Sequence, residues 1–212
     1  MNFKIHSLPK SLRSAGWEQL LSEWSRMINS SVDLSEHASR DVVYWYGERA
    51  LTGLLAAAAW RIDGWSLEEW TARRGRGKAE GAARGDLWLA TENGQFTVET
   101  KVSWPCSTWA VAHKYARTRI KEARHQLRSM DRDYRFGKPI ALCYIVPAIA
   151  VKGAYNKDDL INEFFTKIPK QRKDFNISAS YRPKGPCPEF DNRKYPGVIL
   201  VGHLLDNALN WN

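Results

Sequence analysis

The segment from Asp86 to Val102 constrains the fold of this chain more than any other. Two runs of alternating residues, Asp86-Leu87-Trp88-Leu89-Ala90 and Phe96-Thr97-Val98-Glu99-Thr100-Lys101-Val102, flank the tetrad Glu92-Asn93-Gly94-Gln95. Alternation with a period of two marks a half-buried strand. Asn-Gly is the preferred centre of a two-residue type I′ hairpin, because both central residues take positive φ. With Asn93 and Gly94 in the turn, Glu92 faces Gln95, Trp88 faces Glu99 and Asp86 faces Lys101. Leu87, Leu89, Val98 and Thr100 then share one face, able to bury against a helix, while Asp86, Trp88, Glu99 and Lys101 share the other. Asp86 and Glu99 become diagonal neighbours, roughly 7–8 Å apart at the backbone. Two carboxylates and an ammonium group thus converge. That set suits Mg²⁺, which takes one or two carboxylates plus water and phosphate oxygens. A bound metal lowers the pKa of its water and offsets charge developing on a phosphate, and a neighbouring lysine can stabilise the phosphorane oxygens. A surface face laced with charge pairs is the other reading of the same pattern.

Helical periodicity frames the hairpin. Trp17, Leu20, Leu21, Trp24, Met27 and Ile28 fall on one face of a helix from Gly16 to Ile28, with Ser30, Ser31 and Asp33 as breakers. A second helix is expected from Glu36 or Arg40 to Arg61, capped by Ser35 or Ser39, with Gly64 just past its end. Its stretch Leu51 to Trp60 is almost devoid of polar atoms, so it belongs in the core. Ser66 to Ala72 reads as a short helical turn, and Arg73-Arg74-Gly75-Arg76-Gly77-Lys78 as a basic loop that is either a solvated linker or a phosphate clamp. Trp104 to Thr108 reads as a connector. Ala110 to Met130 is a third long helix, with an apolar stripe of Ala116, Ile120, Ala123, Leu127 and Met130. Lys114, Arg117, Lys121, Arg124 and Arg128 form a separate basic stripe along it. Pro139 to Ala150 is a buried strand, Lys157 to Lys167 a surface helix, Arg182 to Pro196 a loop and Val198 to Leu205 a last strand. The order helix, helix, hairpin, helix, strand, helix, strand implies an α/β fold with a mixed central sheet flanked by helices.

The whole chain, 1–212, fits one domain. Its core spans about 40–150, with a helical region over 1–35 and a helix, loop and strand over 151–212. Hydrophobic residues make up 43% and charged residues 26%, the composition of a globular chain. The formal net charge of +9 favours an anionic partner. Cys106, Cys143 and Cys187 are far apart and odd in number, without zinc-site spacing, which reads as reduced thiols in a cytoplasmic protein. Met1 to Lys10 holds no apolar stretch of signal-peptide type, and the run Leu54 to Trp60 is too short to cross a membrane. Nucleic acid is therefore expected before lipid. The ten tryptophans are expected in the core, although Trp104 and Trp109 stand where they could stack on an unpaired base.

Gly85-Asp86 followed by Glu99-Thr100-Lys101 resembles the core motif of the PD-(D/E)XK nuclease superfamily, an acid at the start of one strand and acid-X-Lys on the next. Members commonly add a glutamate on the helix before the hairpin; Glu48 is the one acid between Asp41 and Asp63. The resemblance implies a restriction-endonuclease-like core over roughly Arg40 to Ala150. It implies a catalytic set of Glu48, Asp86, Glu99 and Lys101, with Mg²⁺ (or Mn²⁺ in its place) held by Glu48, Asp86, Glu99 and the Thr100 carbonyl. Lys101 would serve the attacking water. It further implies a metal-dependent deoxyribonuclease, acting in restriction, phage defence or repair. No proline precedes Asp86, as the family tolerates. Some branches carry Gln-x-x-x-Tyr on the following helix; here Gln126 is followed by Met130, which leaves Gln126 an accessory candidate or a solvated position.

The expected partner is nucleic acid, DNA ahead of RNA, contacted by Arg73, Arg74, Arg76 and Lys78 of the loop and Arg117, Lys121 and Arg124 of the stripe. Such phosphate contacts give salt-sensitive affinity without sequence information. A homodimer or a partner subunit is a further expectation, since no separate specificity domain is evident. The alternatives are a non-catalytic binding or scaffolding module on the same fold, and an RNA-directed nuclease.

Overall fold

The computed structural model describes residues 2–38, 42–74, 81–151, 157–184 and 187–205. Ten strands and five helices occur among them. They are β1 (Asn2–Ser7), α1 (Lys10–Ser14), α2 (Trp17–Ala38), α3 (Glu48–Arg61), β2 (Trp65–Arg74), β3 (Gly81–Thr91), β4 (Gly94–Ser103), α4 (Trp109–Ser129), β5 (Lys138–Ile145), β6 (Ile149–Ala150), α5 (Lys157–Lys167), β7 (Ile177–Arg182), β8 (Glu189–Phe190), β9 (Arg193–Lys194) and β10 (Val198–Leu204). Seven strands form one sheet in the order β1-β7-β10-β5-β4-β3-β2, and β6, β9 and β8 form a small second one. All neighbours in the large sheet are antiparallel except β4 and β5. The fold is thus mixed α/β, with a mixed central sheet between helices, as expected.

The sheet has an apolar core on each face. On one, Trp17, Leu20 and Trp24 of α2 and Leu51 and Leu55 of α3 pack on Leu87, Phe96 and Tyr144. Trp17 meets Phe96 edge-on at 5.3 Å, and Trp24 stacks on Tyr144 at 6.0 Å. On the other face, Ala112, Ala116, Ile120, Ala123 and Leu127 of α4 pack with Ala141, Cys143 and Ile145 of β5 and with Phe164 of α5. Burying such side chains contributes about 1.5–3 kcal/mol for each large one. Thr108 caps α4 by accepting from the Val111 N–H, and it is the apolar stripe of α4 that faces the sheet.

Several expected boundaries move. α2 continues through Ser30, Ser31 and Asp33 to Ala38. The hydroxyls of Ser30 and Ser31 donate to the carbonyls of Arg26 and Ile28 one turn back, so these polar residues are accommodated inside the helix. α3 begins at Glu48, not at Glu36 or Arg40, after a 3-10 turn at Val43–Trp45 and a positive φ of 89° at Gly47. Ser35 therefore lies within α2, and Ser39 falls outside the described residues. The expected helical turn at Ser66 to Ala72 is instead β2, the edge strand paired with β3 from Trp65↔Ala90 to Arg74↔Gly81. β1 and β7 occupy segments where no strand is expected, and the Arg182–Pro196 stretch contains the small hairpin of β8 and β9.

The central hairpin is present in a register shifted by two. Thr91 pairs with Gly94, Trp88 with Thr97 and Leu87 with Val98, so Glu92 and Asn93 make the turn. Neither they nor Gly94 has positive φ. Gly94 serves close approach instead: a Cβ there would lie 3.0 Å from the Phe96 ring and 3.5 Å from Ala15. The Thr91 hydroxyl donates to the Ala15 carbonyl at 2.6 Å, which ties the turn to the end of α1. The paired positive φ values of a type I′ turn occur at Asp191 and Asn192 (47° and 56°), between β8 and β9. A shift of two preserves the side-chain alternation, so Leu87, Leu89 and Val98 stay on the apolar face.

Candidate functional site

Past the Leu87↔Val98 pair the two strands part. β3 stays with β2, while β4 runs on beside β5 to Ser103↔Ile145. Asp86 lies in the opening, and its Oδ2 accepts the Thr100 N–H at 2.8 Å. On β2, Glu69 sits between the Glu68↔Leu87 and Trp70↔Gly85 pairs with φ 49°, and its carboxylate pairs with Arg49 and Arg84. A side chain thus replaces a ladder bond where the sheet forks, and the buried Thr100 amide keeps a partner. The Thr100 hydroxyl lies 2.9 Å from that of Thr52 on α3, so the fork is also tied to the helix layer.

Lys101 fills this opening. Its Nζ lies 3.5 Å from Glu48 Oε1, 3.5 Å from Asp86 Oδ2 and 2.5 Å from the Thr100 carbonyl. Glu48 stands in the first turn of α3, where the helix dipole favours a carboxylate, and it also accepts from the Val102 N–H. Burial pushes the Glu48 carboxyl above its ordinary value; Lys101 opposes that rise and the Asp86 charge adds to it. Neither Arg49 nor Arg61 pairs with Glu48: Arg49 reaches Glu69, and Arg61 reaches Glu23. Glu99 is wholly buried in β4.

The expected residues Glu48, Asp86, Thr100 and Lys101 thus come together, but not as a metal centre. Among the described residues no group of three or more His, Cys, Asp or Glu is placed to hold a metal ion. The cation of the cluster is the Lys101 ammonium, set between the two carboxylates with the Thr100 carbonyl as its acceptor. The buried Glu99 offers no solvent-facing oxygen to an ion that usually keeps several waters. This overturns the expected Mg²⁺ or Mn²⁺ site on Glu48, Asp86, Glu99 and Thr100. The metal-dependent deoxyribonuclease or endonuclease activity, its RNA-directed variant and the restriction, defence or repair setting fall with it. No protein-family model, curated protein or solved structure matches the chain.

Lys101 also floors two adjoining clefts against α4. One, of about 540 Å³, is lined by Glu48, Ser103, Trp104, Tyr115, Arg119 and Glu122 among others. The second, of about 530 Å³, adds Lys121, His125 and Gln126, and both share Lys101, Thr118 and Glu122. Gln126 is therefore a groove residue. Tyr115, Arg119 and Glu122, which the sequence reading does not single out, repeat at helical spacing on the α4 flank beside the apolar stripe. That flank is the signal that could have found them. Arg119 and Glu122 pair at 2.8 Å.

The basic residues divide. Arg117 is paired with Asp174 at 3.2 Å, and Asp174 also meets His113 at 2.9 Å. Arg124 is half-buried and adds to the positive field that, with burial as the larger cause, holds the His203 imidazole below its ordinary value. Lys114, Lys121 and Arg128 are exposed. None of these three has an ion-pair partner among the described residues. Arg73 is exposed on β2, and its carbonyl accepts from the Asp131 N–H just past α4. Arg74 ends β2 with its side chain outside the described residues, where Arg76 and Lys78 also lie. The three cysteines are free thiols, and no helix of the described residues is long and apolar enough to cross a membrane.

Proposed function

We propose that the chain is a nucleic-acid-binding module that holds a phosphodiester backbone along the basic face of α4. The observation that carries this reading is the row of Lys114, Lys121 and Arg128, exposed and without a carboxylate partner among the described residues. They span roughly 21 Å at the helical rise of 1.5 Å per residue. Arg73 lies next to the C-terminal end of that row through the Asp131 bond. Charges of one sign held on a rigid helix attract a polyanion and steer its approach. The net charge of +9 acts in the same direction.

Kinship with the restriction-endonuclease-like fold is part of the same proposal. It is supported by the order α3-β2-β3-β4-α4-β5, by the parallel pairing of β5 with β4, and by Asp86 and Glu99-Thr100-Lys101 at the fork. That kinship is what puts DNA ahead of RNA. In this reading the acid–lysine cluster holds the fork together and the neighbouring helix face does the binding.

Fluorescence anisotropy with labelled duplex DNA, single-stranded DNA and RNA, each titrated over a salt series, tests the reading. Three phosphate contacts give a slope of log affinity against log salt of about −3 on duplex DNA. The Lys114→Glu/Lys121→Glu/Arg128→Glu variant is expected to bind at least about a hundredfold more weakly at low salt, with a flattened slope. Binding that ignores both salt and the triple substitution would sink the proposal.

A further inference from the structure

We propose that the cleft between α4 and the end of β4 takes an unpaired nucleobase from a single-stranded nucleic acid, stacked on Trp104 and Tyr115. The proposal rests on the nucleic-acid reading above and gives that reading a specificity. Both rings line the 540 Å³ cleft, and both are exposed, Trp104 by 44% and Tyr115 by 53%. Neither is in contact with another aromatic ring among the described residues. Five other tryptophans are packed in a core or against another ring. Trp17 and Trp24 are core, Trp60 pairs with Trp65 at 5.0 Å, and Trp109 packs in the second core under Lys167. Trp104 is held from behind by Gly47, where a Cβ would lie 3.3 Å from the indole, at a φ of 89° that itself favours glycine. A ring fixed by the backbone on one side and open to solvent on the other is a preformed stacking surface. Stacking on aromatic rings suits any base, since every base has a π-face.

The chemistry of the walls favours a base over a phosphate. Lys101 and Arg119 supply donors, Glu48 and Glu122 supply acceptors, and the two pairs are already matched at 3.5 Å and 2.8 Å. Two cations balanced by two carboxylates exert little net pull on a phosphate. They do match the edge of a base, which presents donors and acceptors side by side. The cleft volume falls within the range of small-molecule sites. The adjoining 530 Å³ cleft leads from Lys101 to Lys121, the residue that the groove shares with the basic row. A strand whose phosphates follow Lys114, Lys121 and Arg128 can therefore turn one base inward. A base paired and stacked in a duplex cannot enter without being extruded.

The test compares the full chain with Trp104→Ala, Trp104→Phe and Tyr115→Ala on single-stranded DNA, duplex DNA and a strand of abasic residues. Trp104→Ala and Tyr115→Ala are each expected to lose about tenfold in affinity for the normal single strand and to keep duplex affinity. Trp104→Phe should recover most of the loss. The unaltered protein should bind the abasic strand as weakly as Trp104→Ala binds the normal one, and Trp104→Ala should not distinguish the two strands. Salt-sensitive binding with equal affinity for normal and abasic strands overturns the base site and leaves the nucleic-acid reading standing. A loss in Trp104→Ala that is equal on duplex and single strand also overturns it. If the unaltered protein binds none of the three, the nucleic-acid reading fails and the base site with it.

Discussion

Asp86→Ala is expected to lower the unfolding free energy by about 2–3 kcal/mol, while Asp86→Asn costs less than about 1 kcal/mol. The difference follows from the fork. Thr100 is wholly buried, and its N–H has the Asp86 carboxylate as acceptor at 2.8 Å. Alanine leaves that amide without a partner in the interior, and a buried unsatisfied group costs the whole of its desolvation. Asparagine keeps a carbonyl oxygen in the same place. It loses the attraction to Lys101, 3.5 Å away, but it also loses the repulsion of Glu48. Urea denaturation of the two variants checks this. Equal losses would mean that charge, not the amide bond, is what Asp86 contributes.

The fork also shows which parts of the fold a reader of the sequence can reach. Leu87, Leu89 and Val98 alternate cleanly and are buried as expected, because a strand with one apolar face announces itself. β2 does not. Its exposed residues include Trp65 and Leu67, at 63% and 57%, while Ser66 is buried and donates to the Ala56 carbonyl. The usual pattern is inverted there, and the strand reads as a short helical turn. β7 hides for a related reason: Ser178 and Ser180 are buried and satisfied by Pro169 and His6, so small polar residues occupy positions where apolar ones are expected. The hairpin register fails because Asn-Gly carries two meanings. The sequence offers positive φ at Gly94; the structure uses the missing side chain to admit Phe96 and Ala15.

The candidate site divides along the same line. Strand alternation brings Asp86 and Lys101 to one face, and the family resemblance adds Glu48 and the Thr100 carbonyl to them. Spacing does not say whether the lysine points away from the carboxylates or between them. It points between them, and the cluster therefore carries its own cation. The groove on α4 is legible only once β4 is known to run beside that helix. Until then Tyr115, Arg119 and Glu122 are an unremarked flank between an apolar stripe and a basic one.

Lys101→Met tests that internal cation, and its cost depends on pH. At neutral pH the variant is expected to lose about 2 kcal/mol, between the small value of an exposed pair and the 3–5 kcal/mol of a fully buried one. The side chains of Lys101 and Glu48 are 15% and 33% exposed, which sets the intermediate figure. Burial already raises the Glu48 carboxyl, and the Asp86 charge raises it further; Lys101 is what holds it back. A carboxyl raised in the folded state favours folding when protonated. That contribution is fully present below the unfolded-state value and is lost as pH climbs through the folded-state value. Without Lys101 the folded-state value moves higher, so more stability is lost over the same climb. The deficit of Lys101→Met should therefore be smallest in acid, where Glu48 is protonated in both proteins, and should grow toward neutrality. Adding Glu48→Gln should remove most of that growth, because the titrating group is gone. Denaturation of the two variants and the double variant across pH measures it. A deficit that is flat with pH, or larger in acid, would show that Lys101 stabilises the fork through packing and its bond to the Thr100 carbonyl, and not by neutralising Glu48.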